Sequence, residues 1–398
     1  MKFADRLSQI KPSPTLTISA KARAMKVDGK DVISLSAGEP DFDTPDFIKD
    51  AAIQAIKDGQ TKYTSVDGTT YLKSAIADKF RDENNLNYDL DQIIVGTGAK
   101  QILFNAFLAT LNPQDEVIIP APYWVSYPEM VRIAEGVPVF IEGAAENNFK
   151  ITPNDLKKAI TNKTKWLVLN SPNNPTGSIY SKEEFQAIED VLKKHPDIYV
   201  LSDEIYEHII YEHKFYAFAE ACPSLFNRTL TVNGVSKSYA MTGWRIGYAG
   251  GPKDLISAMK KIQSQSTSNA CSISQAAAAV ALKGDQDFLK ERTLCFKERR
   301  DYIVKELNTI KGMTCLEPIG AFYVYPYCKE FIGKKTPAGA VIETDTDFAE
   351  FLLDFAEVAV VPGSAFGFSP YVRLSYATSL DQIKEALKRI KKACSSLT

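Results

Sequence analysis

Two cations occupy a segment that otherwise looks buried. Residues 232–251, VNGVSKSYAMTGWRIGYAGG, are mostly small, apolar or glycine, yet they include Lys237 and Arg245. Most lysines that follow a strand are simply exposed to solvent. The neighbours of Lys237 are small or apolar, however, and an amine partly removed from water has a lowered pKa and can form a Schiff base. Arg245 lies in an apolar, strand-like run, where its planar guanidinium needs an anion such as a phosphate.

Polar residues also end several neighbouring apolar runs. Asp203 and Tyr206 follow IYVLS, and the carboxylate there is either a helix N-cap or the partner of a cationic ligand atom. SPNNPTG at 171–177 follows KWLVLN and, taken alone, is ordinary turn chemistry. GTGAK at 96–100 opens a predicted helix, where successive backbone N–H groups and the helix dipole form an anion site.

These segments belong to one predicted sheet. Short apolar runs, several of them separated by helical stretches such as EEFQAIEDVLKK, are QIIVGT, EVIIP, VPVFIEG, KWLVLNS, IYVLSDE, LTVNGVS and RIGYAGG. The pattern predicts an α/β fold with a mostly parallel seven-stranded sheet flanked by helices. Ligands bind such sheets at the carboxyl ends of the strands. An amine, a phosphate cradle, a carboxylate for a ring nitrogen and amide or hydroxyl donors would meet there, and this set fits pyridoxal 5′-phosphate (PLP).

The last hundred residues have a different pattern. AFYVYPY, VAVVPG and YVRLSYA are predicted strands, and DFAEFLLDFAE and LDQIKEALKRIKKA are predicted helices. We predict a smaller α+β domain at 291–398, which the N-terminal segment 1–45 joins, and a large cofactor-binding domain at 46–290. The polar stretch 333–345 is predicted to be a surface loop.

Composition argues against several classes of function. The formal net charge of -2 over 398 residues gives no reason to expect a nucleic acid or a membrane surface as a partner. No apolar run predicts a signal peptide or a membrane span, and six scattered cysteines without a CxxC pair predict reduced thiols in a cytoplasmic protein. VGTGAKQ does not have nucleotide-loop spacing. The histidines of EHIIYEH stand five apart, so no metal site is predicted.

Five ordered motifs resemble those of a known family. They are AGEPDFDTP (37–45), PYWVSYPEMV (122–131), NSPNNPTG (170–177), SDEIYEH (202–208) and MTGWRIGY (241–248). The chain is similar to the class I/II aminotransferases, which have the fold type I of PLP enzymes, and within them to the bacterial aspartate and aspartate/prephenate aminotransferases. The resemblance extends from about residue 10 to the C-terminus, and the five motifs together are far more specific than any one alone.

The resemblance implies a role for each residue of a PLP site. Lys237 would carry PLP as a Schiff base, Asp203 would pair with the ring nitrogen, and Trp124 would stack on the ring. Asn174 and Tyr206 would hydrogen-bond the phenolic oxygen. The phosphate would be bound by Gly98, Ala99, Lys100, Arg245 and, from the neighbouring subunit of a homodimer with active sites at the interface, Tyr63.

One position departs from the family pattern. Many relatives have a serine three residues before the lysine, and that serine donates to the phosphate. Here Gly234 stands at that position and Ser236 directly precedes the lysine. Phosphate binding would therefore depend on the other donors.

Substrate recognition is expected at Arg373. It is the only charge in the run YVRLSYA, and its burial without an anion would cost several kcal/mol. The resemblance implies that Arg373 binds the substrate α-carboxylate together with Asn174 and Trp124, and that backbone at Gly38 approaches the same group.

The resemblance also implies ping-pong transfer of the amino group of L-aspartate to 2-oxoglutarate, with glutamate and prephenate as further candidate substrates. Lys100, Ser13 and Thr15 would then bind the distal carboxylate, although capping or loop solvation explains Ser13 and Thr15 equally well. Alternatives are an aromatic or alanine aminotransferase, a PLP-dependent lyase on the same fold, and a non-catalytic PLP-binding protein.

Overall fold

The computed structural model describes residues 3–10 and 14–398, apart from the side chains of Pro14 and Leu16. The helices in the described residues are α1 (Pro14–Val27), α2 (Asp46–Lys57), α3 (Thr70–Asn84), α4 (Ala99–Thr110), α5 (Ser126–Ile133), α6 (Pro153–Ala159), α7 (Lys182–Leu192), α8 (Phe218–Ala221), α9 (Lys253–Ser266), α10 (Ser272–Lys283), α11 (Asp287–Leu307), α12 (Asp345–Ala356) and α13 (Leu380–Ser395). The strands are β1 (Ile33–Ser34), β2 (Ile93–Thr97), β3 (Glu116–Ala121), β4 (Val137–Glu142), β5 (Thr164–Asn170), β6 (Tyr199–Asp203), β7 (Thr229–Gly234), β8 (Ile246–Gly250), β9 (Tyr323–Val324), β10 (Val358–Ala359), β11 (Val361–Pro362) and β12 (Val372–Ser375). None of these helices combines the length and the apolar character that crossing a bilayer requires.

The central sheet has seven strands in the order β2-β8-β7-β6-β5-β3-β4. The pairs from β4 to β7 are parallel, and only β8 runs against its neighbours. This confirms the predicted α/β fold with a mostly parallel seven-stranded sheet. Because β5, β6 and β7 are adjacent, Asn170 and Asp203 end their strands side by side, and Gly234 ends the next strand.

Alternating side chains of the sheet bury against helices on both faces. Trp166 and Val168 of β5 pack in one cluster with Phe107 of α4. Leu167 and Leu169 point the other way and pack with α7. A strand covered on both faces exposes no polar side, which is why the strand runs read as continuous apolar segments.

The C-terminal part forms a smaller unit around a three-stranded sheet in the order β11-β12-β9. β1 pairs in parallel with β10, which joins the N-terminal segment to this unit, and Ala22 and Met25 of α1 pack against Leu353 and Ala359. These contacts support the predicted grouping of 1–45 with 291–398. The boundaries themselves stay a proposal, and α11 runs through the second of them.

The structure refines the bounds of one predicted strand and one predicted loop in the C-terminal part. In AFYVYPY only Tyr323–Val324 forms a strand, because Pro326 has no N–H to extend the ladder. The predicted loop at 333–345 ends where Thr344 caps α12 in a capping box with Asp347.

A buried ion pair with its hydrogen bonds ties α3 to the segment that follows β6 and to β7. The Lys79 amine contacts the Glu207 carboxylate, and the two side chains are 0% and 3% exposed. The amides of Asn84 and Asn233 donate to the two oxygens of Glu207 at 2.9 and 2.8 Å. Burial opposes ionisation of Glu207, but Lys79 and His208 hold its pKa below the usual range.

Lys79→Ala is expected to lower the free energy of unfolding by about 3–5 kcal/mol, because it leaves a buried carboxylate without its cation. Urea unfolding at fixed protein concentration measures the loss. The control is Lys290→Ala, which removes an exposed pair with Asp287 and should change stability by less than about 0.5 kcal/mol. Equal losses in the two variants would contradict the argument.

Candidate active site

A cavity of about 470 Å³ lies at the carboxyl ends of β5, β6 and β7. It is lined by eleven of the residues that the sequence singled out: Thr15, Gly38, Ala99, Lys100, Trp124, Asn174, Asp203, Tyr206, Lys237, Arg245 and Arg373. These residues come from both the large sheet and the C-terminal unit. The predicted site therefore has its residues in one place, whereas their individual roles stay proposals.

Among the described residues, two predicted ones do not line this cavity. Gly98 directly precedes α4, next to Ala99, which does line the cavity. Tyr63 is 91% exposed and does not line the cavity of its own chain, so its predicted role in a neighbouring subunit stays a prediction. Ser13 lies outside the described residues.

Lys237 follows β7 and presents its amine to the cavity. The Nζ donates to the carbonyl of Gly38 at 2.7 Å. Burial lowers the pKa of Lys237 to about 8; Glu39 opposes this shift, and the neighbouring Arg245 adds to it. About a tenth of the amine is therefore neutral at pH 7, against well under a thousandth for an ordinary lysine. Lys237 is thus prepared to act as a nucleophile or a base.

Asp203 ends β6 with its carboxylate fixed toward the cavity. The Tyr127 hydroxyl donates to Oδ2 at 2.7 Å, and the N–H of Ile205 donates to Oδ1 at 3.3 Å. Burial raises the pKa of Asp203, while these two hydrogen bonds and Lys237 counteract the rise. The alternative of a helix N-cap is wrong, because the next described α-helix begins only at Phe218. The carboxylate is therefore left to face a ligand.

The Arg245 guanidinium lies close to the start of α4. Gly98 adopts a φ of 82°, and a Cβ on it would come within 2.4 Å of a guanidinium nitrogen of Arg245. A Cβ on Gly247 would lie 2.0 Å from the backbone nitrogen of Ala99. The two glycines thus let the first N–H groups of the helix and the Arg245 cation share one spot.

Lys100 lies on the cavity side of the same helix. Its amine stands 4.8 Å from the centre of the Trp124 ring. Burial, with a smaller effect of Arg245, lowers the pKa of Lys100. The helix start therefore concentrates positive charge beside an aromatic wall.

Arg373 is a buried cation without a carboxylate partner among the described residues. Its Nη1 donates to Oδ1 of Asn174 at 3.0 Å and its Nη2 to the carbonyl of Ser36 at 2.6 Å, while Nε has no partner there. Burial lowers its pKa, which the nearby tyrosines oppose. Two neutral oxygens do not compensate for the desolvation of a guanidinium, so the geometry favours an incoming carboxylate.

The segment 36–44 crosses the cavity between these groups. A Cβ on Gly38 would stand 2.7 Å from the hydroxyl oxygen of Tyr323, so only glycine lets the backbone pass this close. The far end is held by Arg299, which binds both oxygens of Asp41 at 2.7 and 2.9 Å. The Thr44 hydroxyl donates to the carbonyl of Ala240 at 2.7 Å. This segment therefore closes one side of the cavity to solvent.

The comparisons with known proteins agree with this geometry. A family model described as "Aminotransferase class I and II" matches residues 30–390. The chain belongs to this family. A "Probable aspartate/prephenate aminotransferase" of Rhizobium leguminosarum bv. phaseoli is 58% identical over 393 residues, 98% of each chain. The crystal structure of the aspartate aminotransferase from Rhizobium meliloti has a TM-score of 0.97 at 57% identity and covers 100% of both chains. The Thermus thermophilus enzyme with maleate has a TM-score of 0.92 at 43% identity, covering 99% of this chain and 100% of that one.

Sequence reasoning missed several residues of this aminotransferase that contact the predicted ones. The Tyr127 hydroxyl binds Asp203, and its ring stands edge-on to Trp124, with centroids 5.3 Å apart. Tyr323 shares a 2.8 Å hydrogen bond with Tyr206. For Tyr127 a signal existed: it stands three residues after Trp124, at the start of a short helix, and so returns to the same face.

The structure leaves little space for a side chain at Gly234, the position where this aminotransferase departs from the family pattern. A Cβ there would lie 3.0 Å from both Cδ1 of Ile205 and the carbonyl of Ile246, which leaves little room for a side chain. Ser236 lines the cavity. Of positions 234 and 236, only Ser236 therefore offers a hydroxyl to the cavity.

Acetylation of Lys237 by acetic anhydride, an uncharged electrophile that attacks neutral amines, should rise about tenfold between pH 7 and 9 and then level off. The reason is its pKa of about 8, above which nearly all of the amine is neutral. Peptide mass spectrometry of the cofactor-free aminotransferase measures the rate. Lys193 is the control within the same digest, because Glu189 raises its pKa and its labelling should still climb above pH 9. A Lys237 profile that kept climbing as well would refute the lowered pKa.

Proposed function

We propose that this aminotransferase binds PLP and moves the amino group of L-aspartate to 2-oxoglutarate. One observation carries the proposal: an amine of pKa about 8 and a buried carboxylate face one cavity, between a cationic helix start and a buried arginine. Full-length relatives support the substrate. One of them, from Rhizobium meliloti, is named aspartate aminotransferase and is 57% identical over 396 residues.

The residues of the cavity fit PLP. Its volume of about 470 Å³ is within the range of small-molecule sites and accommodates a substituted pyridine with a phosphate and an amino acid. The start of α4 and Arg245 would hold the phosphate, and Lys237 would attach the cofactor covalently. Asp203 would hold a proton on the ring nitrogen. The Trp124 ring, already against Lys100, would cover one face of the ring.

When bound, PLP withdraws electrons from the Cα of an attached amino acid and so makes the Cα proton removable. The chain supplies the other requirements. Asp203 would keep the ring nitrogen protonated, and the hydrogen bond from the Tyr127 hydroxyl favours the ionised form of Asp203. Lys237 would act as the base that accepts the Cα proton and as the acid that later returns this proton to the cofactor, since much of its amine is neutral near pH 8. The segment 36–44 limits water access.

Substrate orientation would come from Arg373 and Asn174. The two are joined by a 3.0 Å hydrogen bond, so a carboxylate on the guanidinium also meets the Asn174 amide. Lys100 is our candidate for the distal carboxylate. Thr15 lines the same cavity, its buried hydroxyl has no hydrogen-bond partner among the described residues, and it could donate to that group.

A homodimer with active sites at the interface is part of the proposal. The exposed apolar residues Ile53 and Ile56 lie on α2, and Tyr71 opens α3; they are 49%, 55% and 55% exposed. Tyr63, at 91% exposure, lies in the chain between those two helices. A partner covering this surface would bury apolar area and could receive the Tyr63 hydroxyl in its phosphate site.

A second amino-group acceptor is supported by the names of relatives. Those from Rhizobium leguminosarum bv. phaseoli and Rickettsia felis are called probable aspartate/prephenate aminotransferases, at 58% and 55% identity. We therefore propose prephenate as the leading candidate after 2-oxoglutarate. Turnover of aspartate with and without a 2-oxo acid separates transamination from a lyase, which needs no acceptor.

The central experiment loads the protein with PLP, reduces it with borohydride and maps the label. The label should fall on Lys237, and Lys237→Ala should carry none and lose amino transfer from aspartate by about a thousandfold or more. Lys193→Ala, at the surface, is the control. Two results would refute the proposal. One is a label on another lysine, and the other is an unreduced PLP-loaded enzyme whose absorbance aspartate does not change.

Tyr127→Phe should lower kcat with aspartate about tenfold or more, because a hydrogen bond to a charged group contributes about 1.5–3 kcal/mol. Without this donor the pKa of Asp203 rises, so its carboxylate is protonated at higher pH and the acid limb of the kcat profile moves upward in pH. Absorbance titration of the loaded enzyme should show the same movement. Tyr88→Phe removes a buried hydroxyl bound to Thr231, away from the site, and should leave the profile in place. An unshifted limb in Tyr127→Phe would argue against this role.

A further inference from the structure

Helix α1 presents a polar stripe to the cavity. Thr15, Ser19 and Arg23 are spaced four residues apart, so they lie on one face of the helix, and all three line the cavity. Another side of the helix packs Ala22 and Met25 into the C-terminal unit. Packing on that side fixes the rotation of the helix, so the stripe is held toward the site.

The middle of the stripe, at Ser19, lies close to the expected α-carboxylate site. The Ser19 and Ser36 hydroxyl oxygens are 3.1 Å apart, and the carbonyl of Ser36 accepts from Arg373. Arg23 lies one turn, about 6 Å of helix axis, beyond Ser19. A group bound between Arg373 and Arg23 therefore extends along the stripe.

The two ends of α1 face different parts of the molecule. The short helix Asp5–Gln9 just before it contacts α5, and Arg6 pairs with Glu135 at 3.6 Å, which places the Thr15 end toward the large sheet. Toward the other end, Lys21 pairs with Asp354 of α12 at 2.9 Å. Arg23 lines the cavity near this end of α1, and the residue is exposed.

Arg23 is available for an anion. Within the described residues it has no hydrogen bond or ion pair, whereas every other arginine has at least one; these others are Arg6, Arg81, Arg132, Arg228, Arg245, Arg292, Arg299, Arg300, Arg373 and Arg389. Lys100, in contrast, already lies over the Trp124 ring beside the phosphate end. A planar guanidinium without a partner, on a cavity wall, suits a carboxylate.

We propose that Arg23 binds the second carboxylate of substrates whose two carboxylates lie further apart than those of aspartate. Acids with additional methylenes or a ring between the two groups belong to this class. The inference rests on the proposed function, because it places the α-carboxylate on Arg373. Arg23 is then a specificity-determining residue that acts in addition to Lys100.

Binding of unreactive dicarboxylates tests the assignment. Calorimetric titration of the PLP-loaded enzyme with succinate, glutarate and adipate compares the wild type with Arg23→Gln. The loss of affinity should grow with length, from about twofold for succinate to about tenfold for adipate, since only the longer acids span Arg373 and Arg23. Arg23→Lys keeps the positive charge but not the two-pronged guanidinium, so its affinity for adipate should lie between those of the wild type and Arg23→Gln.

The matched control is Lys21→Gln, which removes one positive charge from the same helix at its contact with Asp354. It should show no dependence on acid length. A loss in Arg23→Gln that is equal for all three acids, no loss at all, or no adipate binding in the wild type would each overturn the inference. The binding series does not depend on turnover. If the wild type did not transfer the amino group of aspartate, that result would therefore refute the proposed function and not this inference.

Discussion

The removal of the Lys237 amine from water is the constraint on which the site depends. A lysine in solution is almost entirely charged at neutral pH, and a charged amine neither attacks a carbonyl carbon nor accepts a proton. Burial at the end of β7 lowers its pKa to about 8, with Arg245 adding to the effect. The sheet, the helices on both faces and the segment 36–44 together create the poorly hydrated space that this shift requires.

Neutral hydrogen-bonding groups connect the charged ones. Tyr127 donates to the Asp203 carboxylate, and the Asn170 amide donates to the Asp203 carbonyl at 2.9 Å. Asn170 in turn accepts from the N–H of Asn174 at 2.8 Å, and Asn174 accepts from Arg373. This continuous chain runs from the large sheet to the C-terminal unit, so the expected ring site and the expected carboxylate site are fixed relative to each other.

The sequence predicted the central sheet well because its strands are buried on both faces and read as separate apolar runs. Helices α2, α3 and α10 were not predicted; α10 is rich in alanine and packs closely on the other two, so its pattern has little amphipathic contrast. The charged members of the site followed from the cost of burying Lys237 and Arg373. Tyr323 and Asn170 could not be singled out, since their roles depend on contacts between residues far apart in the chain. For Tyr127 the sequence offered only its spacing from Trp124 and nothing that pointed to Asp203.

The hydrogen bond from Lys237 to the carbonyl of Gly38 links cofactor loading to the N-terminal segment. An amine joined to a carbonyl carbon cannot keep the donor geometry that holds this contact. Covalent loading would therefore release one of the tethers of the segment 36–44, while the Arg299–Asp41 pair continues to hold its far end. Because Ser36 still accepts from Arg373 and Thr44 still donates to Ala240, only the backbone around Gly38 would lose a hydrogen bond when the lysine is occupied.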